Sequence, residues 1–331
     1  MESSGFKVEW RKLTTLNYDY GVKSFLHQWY DDSSYIVAYT SGSTGNPKEI
    51  HLLKRDMIAS AKLTCDFFGI ESSSLLHLPL SVDYIAGKMM IVRAIYSGAS
   101  LFAERPSNTP LNNIRLNDRI ALSAIVPSQI PGLIDSENFS LIDNLIIGGA
   151  PITEDAEQTL LDSGINAYCT YGMTETCSHI ALRHIGTDFF TALGDVTICS
   201  DDRGCLVADT PHLSVRRVVT NDLVEIIDNR HFKWLGRIDN VINTGGIKVF
   251  PEDIERRISH LFGNIAFYIS SRESAKWGRE IVLMIESAHK IPDLEQSIRE
   301  VLPSHLVPKA IIYSNFFERT STGKIKRINP H

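Results

Sequence analysis

The ten residues 39–48 have the sequence YTSGSTGNPK, which contains five hydroxyl side chains, two glycines and a terminal lysine. Backbone N–H groups in a glycine-rich turn can surround an anion, and hydroxyl groups add further donors. The stretch is not a Walker A loop, because Gly42 and Gly45 are three residues apart and Asn46-Pro47 separate the second glycine from Lys48. Since it lies between a strand-like run and a helix-like run, the pattern favours a phosphate-binding loop over a flexible linker.

Apolar runs of strand length alternate with longer segments of helical periodicity. For example, Ile85, Met89, Val92 and Tyr96 have helix spacing. The predicted strands are 34–39, 75–80, 124–126, 145–147, 195–199, 205–209, 213–219, 223–227, 265–270, 281–285 and 311–313, and the predicted helices are 54–68, 85–96, 153–161, 251–261 and 294–302. The alternation before residue 192 predicts βα units around a mainly parallel sheet.

The composition excludes several functions. The chain has 331 residues and a net charge of −6 without any basic block, so we expect no nucleic-acid partner. No run approaches the ~18 apolar residues of a membrane span, and the N-terminus lacks a signal-like apolar segment. The five cysteines form no CxxC pair, which argues against a disulfide framework and a zinc site. A reduced, cytoplasmic setting is therefore expected.

Further motifs follow the glycine-rich loop in a fixed order. They are GGAP at 148–151, YGMTET at 171–176, TNDL at 220–223, GRID at 236–239, GGIK at 245–248 with Pro251 and Glu255 after it, and TSTGKIKR at 320–327. With the loop at 39–48, this series resembles the adenylate-forming superfamily of acyl- and aryl-CoA ligases, luciferases and peptide-synthetase adenylation domains. The resemblance covers residues 39 to 327, and it departs from the usual pattern at Asn221, where relatives have glycine.

The resemblance implies an α/β fold of the adenylate-forming type in a trimmed version. It has a large N-terminal α/β domain at 1–236, which binds AMP, and a small mobile C-terminal α+β domain at 237–331. The implied reaction joins a small carboxylic acid to a thiol in two steps. The acid attacks the α-phosphate of ATP in the presence of Mg²⁺, and the thiol of CoA then displaces AMP from the acyl-adenylate.

The resemblance also assigns roles to individual residues. The residues implied to bind the nucleotide are Thr40, Ser41, Gly42, Ser43, Thr44, Gly45, Lys48, Gly149, Ala150, Tyr171, Gly172, Asp222 and Arg237. Glu175 would hold Mg²⁺, Thr174 would contact the α-phosphate, and Lys324 would be the catalytic lysine of adenylation. A carboxylate such as Asp222 suits the two adjacent ribose hydroxyls, and the fork of Arg237 suits oxygen acceptors. Asp239 would be the hinge between two poses of the C-terminal domain.

Taken outside the motifs, these residues have simpler explanations. Glu175 and Lys324 would then be solvated surface charges, and Asp222 and Arg237 would form a surface ion pair of little energetic value. The order of the motifs favours the functional roles.

The sequence says less about which carboxylic acid is the substrate. The segment 78–101 resembles the start of the acyl pocket in short 2-succinylbenzoate–CoA ligases of menaquinone biosynthesis, with Tyr84 where many relatives have histidine. Tyr84 can stack on an aromatic acid or simply pack at a helix start. Lys88 and Arg93 either meet a second carboxylate of the substrate or extend to the surface.

Two alternatives remain. One is another CoA ligase, or a stand-alone adenylation enzyme that loads a carrier protein. The other, of a different class, is a non-catalytic nucleotide-binding relative. The oligomeric state is open, with a homodimer as one option. Only 38 residues precede the loop, which puts the ordinary full-length architecture in doubt.

Overall fold

The structure is a computed structural model that describes residues 13–15, 20–40, 48–112, 114, 116–263, 265–319 and 325–330. The helices are α1 (Tyr20–Trp29), α2 (Lys54–Phe68), α3 (Ile85–Ser97), α4 (Ile130–Ile134), α5 (Glu154–Ser163), α6 (Pro251–Ile258) and α7 (Leu294–Val301). The first ten strands are β1 (Leu13–Thr15), β2 (Tyr35–Thr40), β3 (Lys48–Leu53), β4 (Leu75–Leu78), β5 (Ser100–Ala103), β6 (Leu122–Ile125), β7 (Asn144–Ile147), β8 (Asn166–Gly172), β9 (His179–His184) and β10 (Phe190–Ala192). The others are β11 (Thr197–Ser200), β12 (Cys205–Asp209), β13 (Arg217–Ile226), β14 (His231–Arg237), β15 (Ile242–Thr244), β16 (Ile247–Val249), β17 (Phe267–Ser274), β18 (Gly278–Glu286) and β19 (Ala310–Ser314).

The main sheet has 12 strands in the order β1-β5-β4-β6-β7-β8-β9-β10-β14-β13-β12-β11. Going across the sheet in this order, neighbouring strands are parallel as far as β8, and from β8 to the edge strand β11 they are antiparallel. The prediction of a mainly parallel sheet before residue 192 is therefore confirmed for β1 and β4 to β8, whereas β9 and β10 pair in antiparallel fashion. Except for the pair β10–β14, neighbouring strands from β8 to β11 in this order are consecutive in the chain, and their connections are too short for a parallel crossover.

The glycine-rich loop does not lead directly into a helix. Strand β3 lies between the loop and α2, and it pairs with β2 as an antiparallel hairpin in which Thr40 faces Lys48. Residues 49–52 alternate polar and apolar side chains, as a half-buried strand does. The sequence prediction missed this strand because the run is short and continues into α2 without a break.

One predicted interruption is absent. The segments 213–219 and 223–227 were expected to be separate strands, but β13 is continuous from Arg217 to Ile226. The polar residues Thr220-Asn221-Asp222 suggested a turn. Instead, the register shifts between Leu223 and Val224, and this bulge keeps the strand paired with β14.

Several helix boundaries agree with the predictions. Helix α2 covers 54–68 as expected and ends at Gly69 in the left-handed conformation with φ 62°. The predicted cap of α5 is confirmed, because the Thr153 hydroxyl accepts a hydrogen bond from the Ala156 amide at 3.2 Å. Helix α6 begins at Pro251, whose missing N–H costs nothing in the first turn.

A second sheet follows β14. Its order is β16-β15-β18-β17, and β19 pairs in parallel with β18. Helices α6 and α7 cover it and share its apolar core, which is separate from the cores of the main sheet. We call this second unit the C-terminal sheet.

Within the described ranges, no helix is long and apolar enough to cross a membrane. The five cysteines are all free thiols. No group of three or more His, Cys, Asp or Glu residues in the described part of the chain has the arrangement of a metal site.

Candidate active site

The turn at the end of β8 displays the central motif. Tyr171 and Gly172 end β8, and residues 174–176 form a single 3-10 turn after it. Buried Thr176 holds this turn: its hydroxyl accepts from the Met173 amide at 3.1 Å and lies 2.7 Å from the Ser178 carbonyl. The turn leaves Thr174 partly exposed and Glu175 exposed. Both side chains are thus accessible, and their roles toward the α-phosphate and Mg²⁺ stay predictions.

Gly172 is required by close packing. A Cβ at this position would lie 2.4 Å from the Ser178 carbonyl oxygen and 2.5 Å from the His179 Cα. Both of these atoms belong to the backbone, so a side chain would push the turn away from β9. The glycine therefore allows the 174–176 turn to lie where it does.

Asp222 meets Tyr171 across the sheet. The Tyr171 hydroxyl donates to Asp222 Oδ2 at 2.7 Å. Burial raises the pKa of Tyr171, and the Asp222 charge raises it further, so the phenol remains a donor. The bond fixes the orientation of the carboxylate, whose side chain is only 13% exposed, and leaves Oδ1 available to another donor.

Arg237 lies opposite Asp222 on β14. Its Nη1 is 3.9 Å from Asp222 Oδ1, whereas its Nη2 donates to Asp239 Oδ2 at 2.9 Å. The arginine side chain is 43% exposed, so part of its fork is open to solvent. The structure thus brings Asp222, Arg237 and Asp239 together, and Tyr171 contacts Asp222.

Asn221, the departure from the usual motif, has clear contacts. Its Oδ1 accepts from Arg203 Nη1 at 3.0 Å, and its amide nitrogen lies 3.4 Å from Asp239 Oδ2. Asp239 occupies the 3-10 turn Ile238–Asn240 that leads from β14 toward the C-terminal sheet. Asn221 therefore links β13 to the residue that the sequence predicts as the hinge.

The GGAP motif lies beside β8. The Gly148 amide donates to the Ile125 carbonyl at 3.1 Å, and a Cβ on Gly148 would lie 2.5 Å from Thr170 Oγ1. Gly149 follows with φ 89°. Gly149 and Ala150 are exposed at the end of β7, next to the strand that carries Tyr171.

The phosphate-loop motif is described at its two ends. The backbones of Thr40 and Lys48 pair at the tip of the β2–β3 hairpin, and the 174–176 turn lies beside both strands. Residues 41–47, which include Ser41, Gly42, Ser43, Thr44 and Gly45, lie outside the described residues.

Lys324 also lies outside the described residues. The chain on either side of it is described: Arg319 and Ile325 form an antiparallel bridge, and the Lys326 amide donates to the Glu318 carbonyl at 2.8 Å.

The structure settles one open alternative on α3. Arg93 does not extend to the surface, because the residue is only 2% exposed. Lys88 also turns inward and donates to the Val82 carbonyl at 2.6 Å. Tyr84 precedes α3 and is 46% exposed, and its place in an acyl pocket stays a prediction.

The neighbours of Arg93 are uncharged. Its Nη2 donates to Ser178 Oγ at 2.7 Å and its Nη1 to Met90 Sδ at 3.2 Å, while Nε has no hydrogen-bond partner among the described residues. Burial and the arginine charge hold the pKa of His179 well below its usual value. Burial lowers the pKa of Arg93 to about 10, so it is still a cation at neutral pH. The signal in the sequence was an arginine inside an apolar helix.

Several known proteins are similar to this chain in sequence. The family model described as AMP-binding enzyme matches residues 11–213. A 2-succinylbenzoate–CoA ligase of Enterococcus faecalis is 22% identical over 330 residues, which are 88% of this chain and 68% of that protein. A long-chain-fatty-acid–CoA ligase of Mycobacterium tuberculosis is 25% identical, with coverage of 89% and 66%. The chain thus spans about two thirds of the length of these curated relatives.

Two solved structures of related proteins are similar to this chain in fold. An AMP-forming acyl-CoA synthetase/AMP-acid ligase II-like protein from Dyadobacter fermentans has a TM-score of 0.63 and 32% identity, and the match covers 93% of this chain and 91% of that one. An O-succinylbenzoate coenzyme A synthetase from Bacillus subtilis, solved with ATP and magnesium, has a TM-score of 0.74 at 18% identity, with coverage of 88% and 68%.

This chain belongs to the AMP-binding enzyme family. The predicted class of enzyme, an AMP-forming acyl-CoA synthetase, is confirmed, and so is the predicted likeness to 2-succinylbenzoate–CoA ligases. The trimmed α/β fold of the adenylate-forming type is also confirmed.

Proposed function

We propose that this chain uses ATP, Mg²⁺ and CoA to convert a carboxylic acid into its CoA thioester through an acyl-adenylate. The observation that carries the proposal is the meeting of three motifs that are distant in sequence, YGMTET, TNDL and GRID. The Tyr171 hydroxyl is bonded to Asp222, Arg237 lies opposite Asp222 on β14, and the 174–176 turn follows the end of the strand that carries Tyr171. A surface ion pair alone would not require the other motifs at the same place.

Each residue then has a chemical task. Asp222, oriented by Tyr171, accepts hydrogen bonds from the ribose hydroxyls, and Arg237 donates to oxygen atoms of the nucleotide. Thr174 contacts the α-phosphate, and the phosphate loop binds the β- and γ-phosphates. Lys324 stabilises the negative charge that develops as the acid attacks.

The metal requirement fits the residues present. Mg²⁺ usually takes one or two carboxylates together with phosphate oxygens and waters, so a dedicated cluster of protein ligands is not needed. Glu175 is an exposed carboxylate on the 174–176 turn and suits this coordination. When bound there, the metal would neutralise phosphate charge.

We propose further that the acid carries a second carboxylate, as 2-succinylbenzoate does. Burying a cation without an anionic partner is costly, and a carboxylate that entered the site would offset this cost. Arg93 is such a cation, and it is bonded to Ser178, two residues after the 174–176 turn. A dicarboxylate could thus place one group at Arg93 and the other near the turn. This would place the enzyme in menaquinone biosynthesis.

An exposed aromatic surface supports CoA as the acceptor. The Trp277 side chain is 41% exposed and packs against Gly245, where a Cβ would lie 2.9 Å from Trp277 Cε3. The Lys276 ammonium lies 4.7 Å from the centre of the Trp277 ring. An aromatic ring flanked by a cation suits a nucleotide, which offers a flat base and phosphates.

The domain boundary at 236/237 remains part of the proposal. The C-terminal sheet begins directly after β14 and the turn at Ile238–Asn240, and it has its own apolar core. A turn of this kind can absorb the backbone change of a hinge at Asp239. The homodimer and the cytoplasmic setting also stay predictions.

A panel of acids tests the proposal. Purified protein with ATP, Mg²⁺ and CoA is given 2-succinylbenzoate, benzoates and medium-chain fatty acids, and both AMP and thioester are measured. We expect thioester with 2-succinylbenzoate. Arg93→Met should lower kcat/KM for this acid about 100-fold, because hydrogen bonds to charged groups contribute up to about 3 kcal/mol, and should affect monocarboxylates less.

Lys88→Met is the matched control, because Lys88 is a second cation of α3 that is bonded to backbone carbonyls. It should preserve the preference for the dicarboxylate. Equal losses with all acids in Arg93→Met would contradict the carboxylate-binding role. AMP without a CoA thioester would favour a carrier-protein acceptor, and absence of AMP with every acid would favour a non-catalytic nucleotide-binding protein.

A further inference from the structure

The order of the parallel strands reverses beside β4 in the main sheet. From β4 the chain goes to β5 on one side, and it then crosses to β6 on the other side of β4 and continues outward to β7 and β8. In open α/β sheets, ligands bind in the crevice outside the carboxyl ends of the strands at such a switch point. In this sheet, that crevice lies between the carboxyl ends of β4 and β6.

A buried glutamine joins the chain segments that leave these strands. The side-chain oxygen of Gln129 accepts from the backbone N–H of Val126, which directly follows β6, at 3.1 Å. The side-chain nitrogen donates to the carbonyl of Pro79, directly after β4, at 3.1 Å, and to that of Ser107, which follows β5, at 2.8 Å. We call these three hydrogen bonds the Gln129 junction, which connects the exits of three neighbouring parallel strands.

The Gln129 junction uses both N–H donors of the side-chain amide. Only one orientation of this amide fits, because the Val126 N–H needs an acceptor and the two carbonyls need donors. Gln129 is 3% exposed, so water does not replace these partners easily. Loss of the amide would leave one N–H and two carbonyls without their bonds, which is costly in the interior. The three segments would then shift to find other partners.

Two helices pack closely against the same segments. Gly132 of α4 lies three residues after Gln129, and a Cβ on it would be 2.2 Å from the Asn108 carbonyl oxygen. Gly87 is in the first turn of α3, and a Cβ on it would be 2.3 Å from the Ser81 carbonyl oxygen. Both contacts involve backbone atoms, so α4 lies directly against the segment after β5, and α3 directly against the segment after β4. The Gln129 junction connects these two packed layers.

The crevice adjoins the residues that the sequence predicts for the nucleotide. Strands β7 and β8 come next along the same edge, followed by Gly149 and by the 174–176 turn respectively. Gly149 lies beside the Gln129 junction, because a Cβ on it would be 3.4 Å from Val126 Cγ1. An acid that attacks the α-phosphate must be held next to the nucleotide. The crevice between β4 and β6 is therefore in the right place for the acid.

We propose that Gln129 is a positioning residue for the carboxylic acid, because it holds the segments 79–84 and 104–109 as two walls of the acid site. This inference rests on the proposed function, in which a carboxylic acid binds beside ATP. Gln129 need not touch the acid. Its effect on ATP should be small, because the Gly148 amide at the end of β7 is held separately, by the Ile125 carbonyl at 3.1 Å.

Steady-state kinetics at varied acid and varied ATP test this role. Gln129→Met keeps the length of the side chain and removes its hydrogen bonds. We expect the KM for the best acid of the panel to rise about 10-fold, which corresponds to about 1.4 kcal/mol, the net value of about one hydrogen bond. The KM for ATP should change by less than about twofold. A merely structural role would reduce the folded fraction, and hence the apparent kcat, and would leave both KM values unchanged.

Gln129→Glu separates the two parts of the Gln129 junction. Glutamate keeps an oxygen for the Val126 amide, but it replaces the donors to Pro79 and Ser107 with a second acceptor. If these donors position the walls, this variant should raise the KM for the acid at least as much as Gln129→Met does. A wild-type KM for the acid in Gln129→Glu would overturn the proposal, even if Gln129→Met does not fold.

Asn138→Leu is the matched control. Asn138 is also a buried amide, and its nitrogen donates to the carbonyls of Leu111 and Ile114 at 3.1 and 2.7 Å. It lies between the end of α4 and the start of β7, so it is near the amino ends of the strands and away from the crevice. The control should lower stability and keep the KM for the acid within about twofold. Equal rises of this KM in Asn138→Leu and Gln129→Met would overturn the proposal.

Binding without turnover distinguishes failure of this inference from failure of the proposed function. Calorimetry measures the Kd of 2-succinylbenzoate in the presence of AMP, which cannot be attacked as ATP can. If wild type binds the acid but forms no AMP from ATP with any acid, the proposed function fails, and about 10-fold weaker binding by Gln129→Met would still support the positioning role. An unchanged Kd in Gln129→Met, or no binding by wild type, would overturn it.

Discussion

Lys324→Ala is expected to abolish formation of the acyl-adenylate, while thioester formation from a supplied acyl-adenylate continues. A cation between the attacking carboxylate and the α-phosphate stabilises charge that exists only in the transition state. Loss of one such group commonly reduces a rate at least about 100-fold. Pyrophosphate exchange measures the first half-reaction, and CoA turnover of the supplied intermediate measures the second.

Lys326→Ala is the control, because Lys326 is a neighbouring lysine of the same motif. Its ammonium lies 3.7 Å from Glu318 and its backbone belongs to the described pairing. It should leave adenylation nearly unchanged. If Lys324→Ala reduces both half-reactions to the same extent, the account in which the C-terminal domain alternates between two poses is wrong for this chain.

Asp222→Asn is expected to lower kcat/KM for ATP by about 10- to 100-fold, because hydrogen bonds to charged groups contribute about 1.5–3 kcal/mol. The amide preserves the shape of the carboxylate and can still accept from Tyr171, but it loses the charge and one acceptor. Most of the loss should appear in the KM for ATP if the carboxylate binds the ribose equally in the ground and transition states. Steady-state rates at varied ATP measure this.

Two variants control for indirect effects. Asp209→Asn alters an exposed pair on the same sheet, in which Arg217 donates to Asp209 at 3.3 Å, and should leave ATP use unchanged. Tyr171→Phe removes only the hydroxyl that orients Asp222, and its effect should be smaller than that of Asp222→Asn. An unchanged KM for ATP in Asp222→Asn would mean that Asp222 and Arg237 form only a structural pair.

Local structure followed from the sequence where short-range physics decides it. The sequence predicts helix α2 at its observed bounds, 54–68, and Gly69 directly after it ends the helix in the left-handed conformation. The cap of α5 was predicted because a threonine hydroxyl satisfies a free amide at a helix start. Pairing partners were harder to predict. Strand β3 and the continuity of β13 depend on neighbours distant in sequence, which no local pattern records.

The sequence by itself determined the family, because motifs such as YTSGSTGNPK and YGMTET keep their residue types and their order along the chain. Only the tertiary structure decided that Arg93 is buried among uncharged groups and that Glu255 holds Arg327. The physical reason is that burial and ion pairing depend on which elements pack together. A charged side chain therefore has the same letter in the sequence whether it lies in water or in the interior.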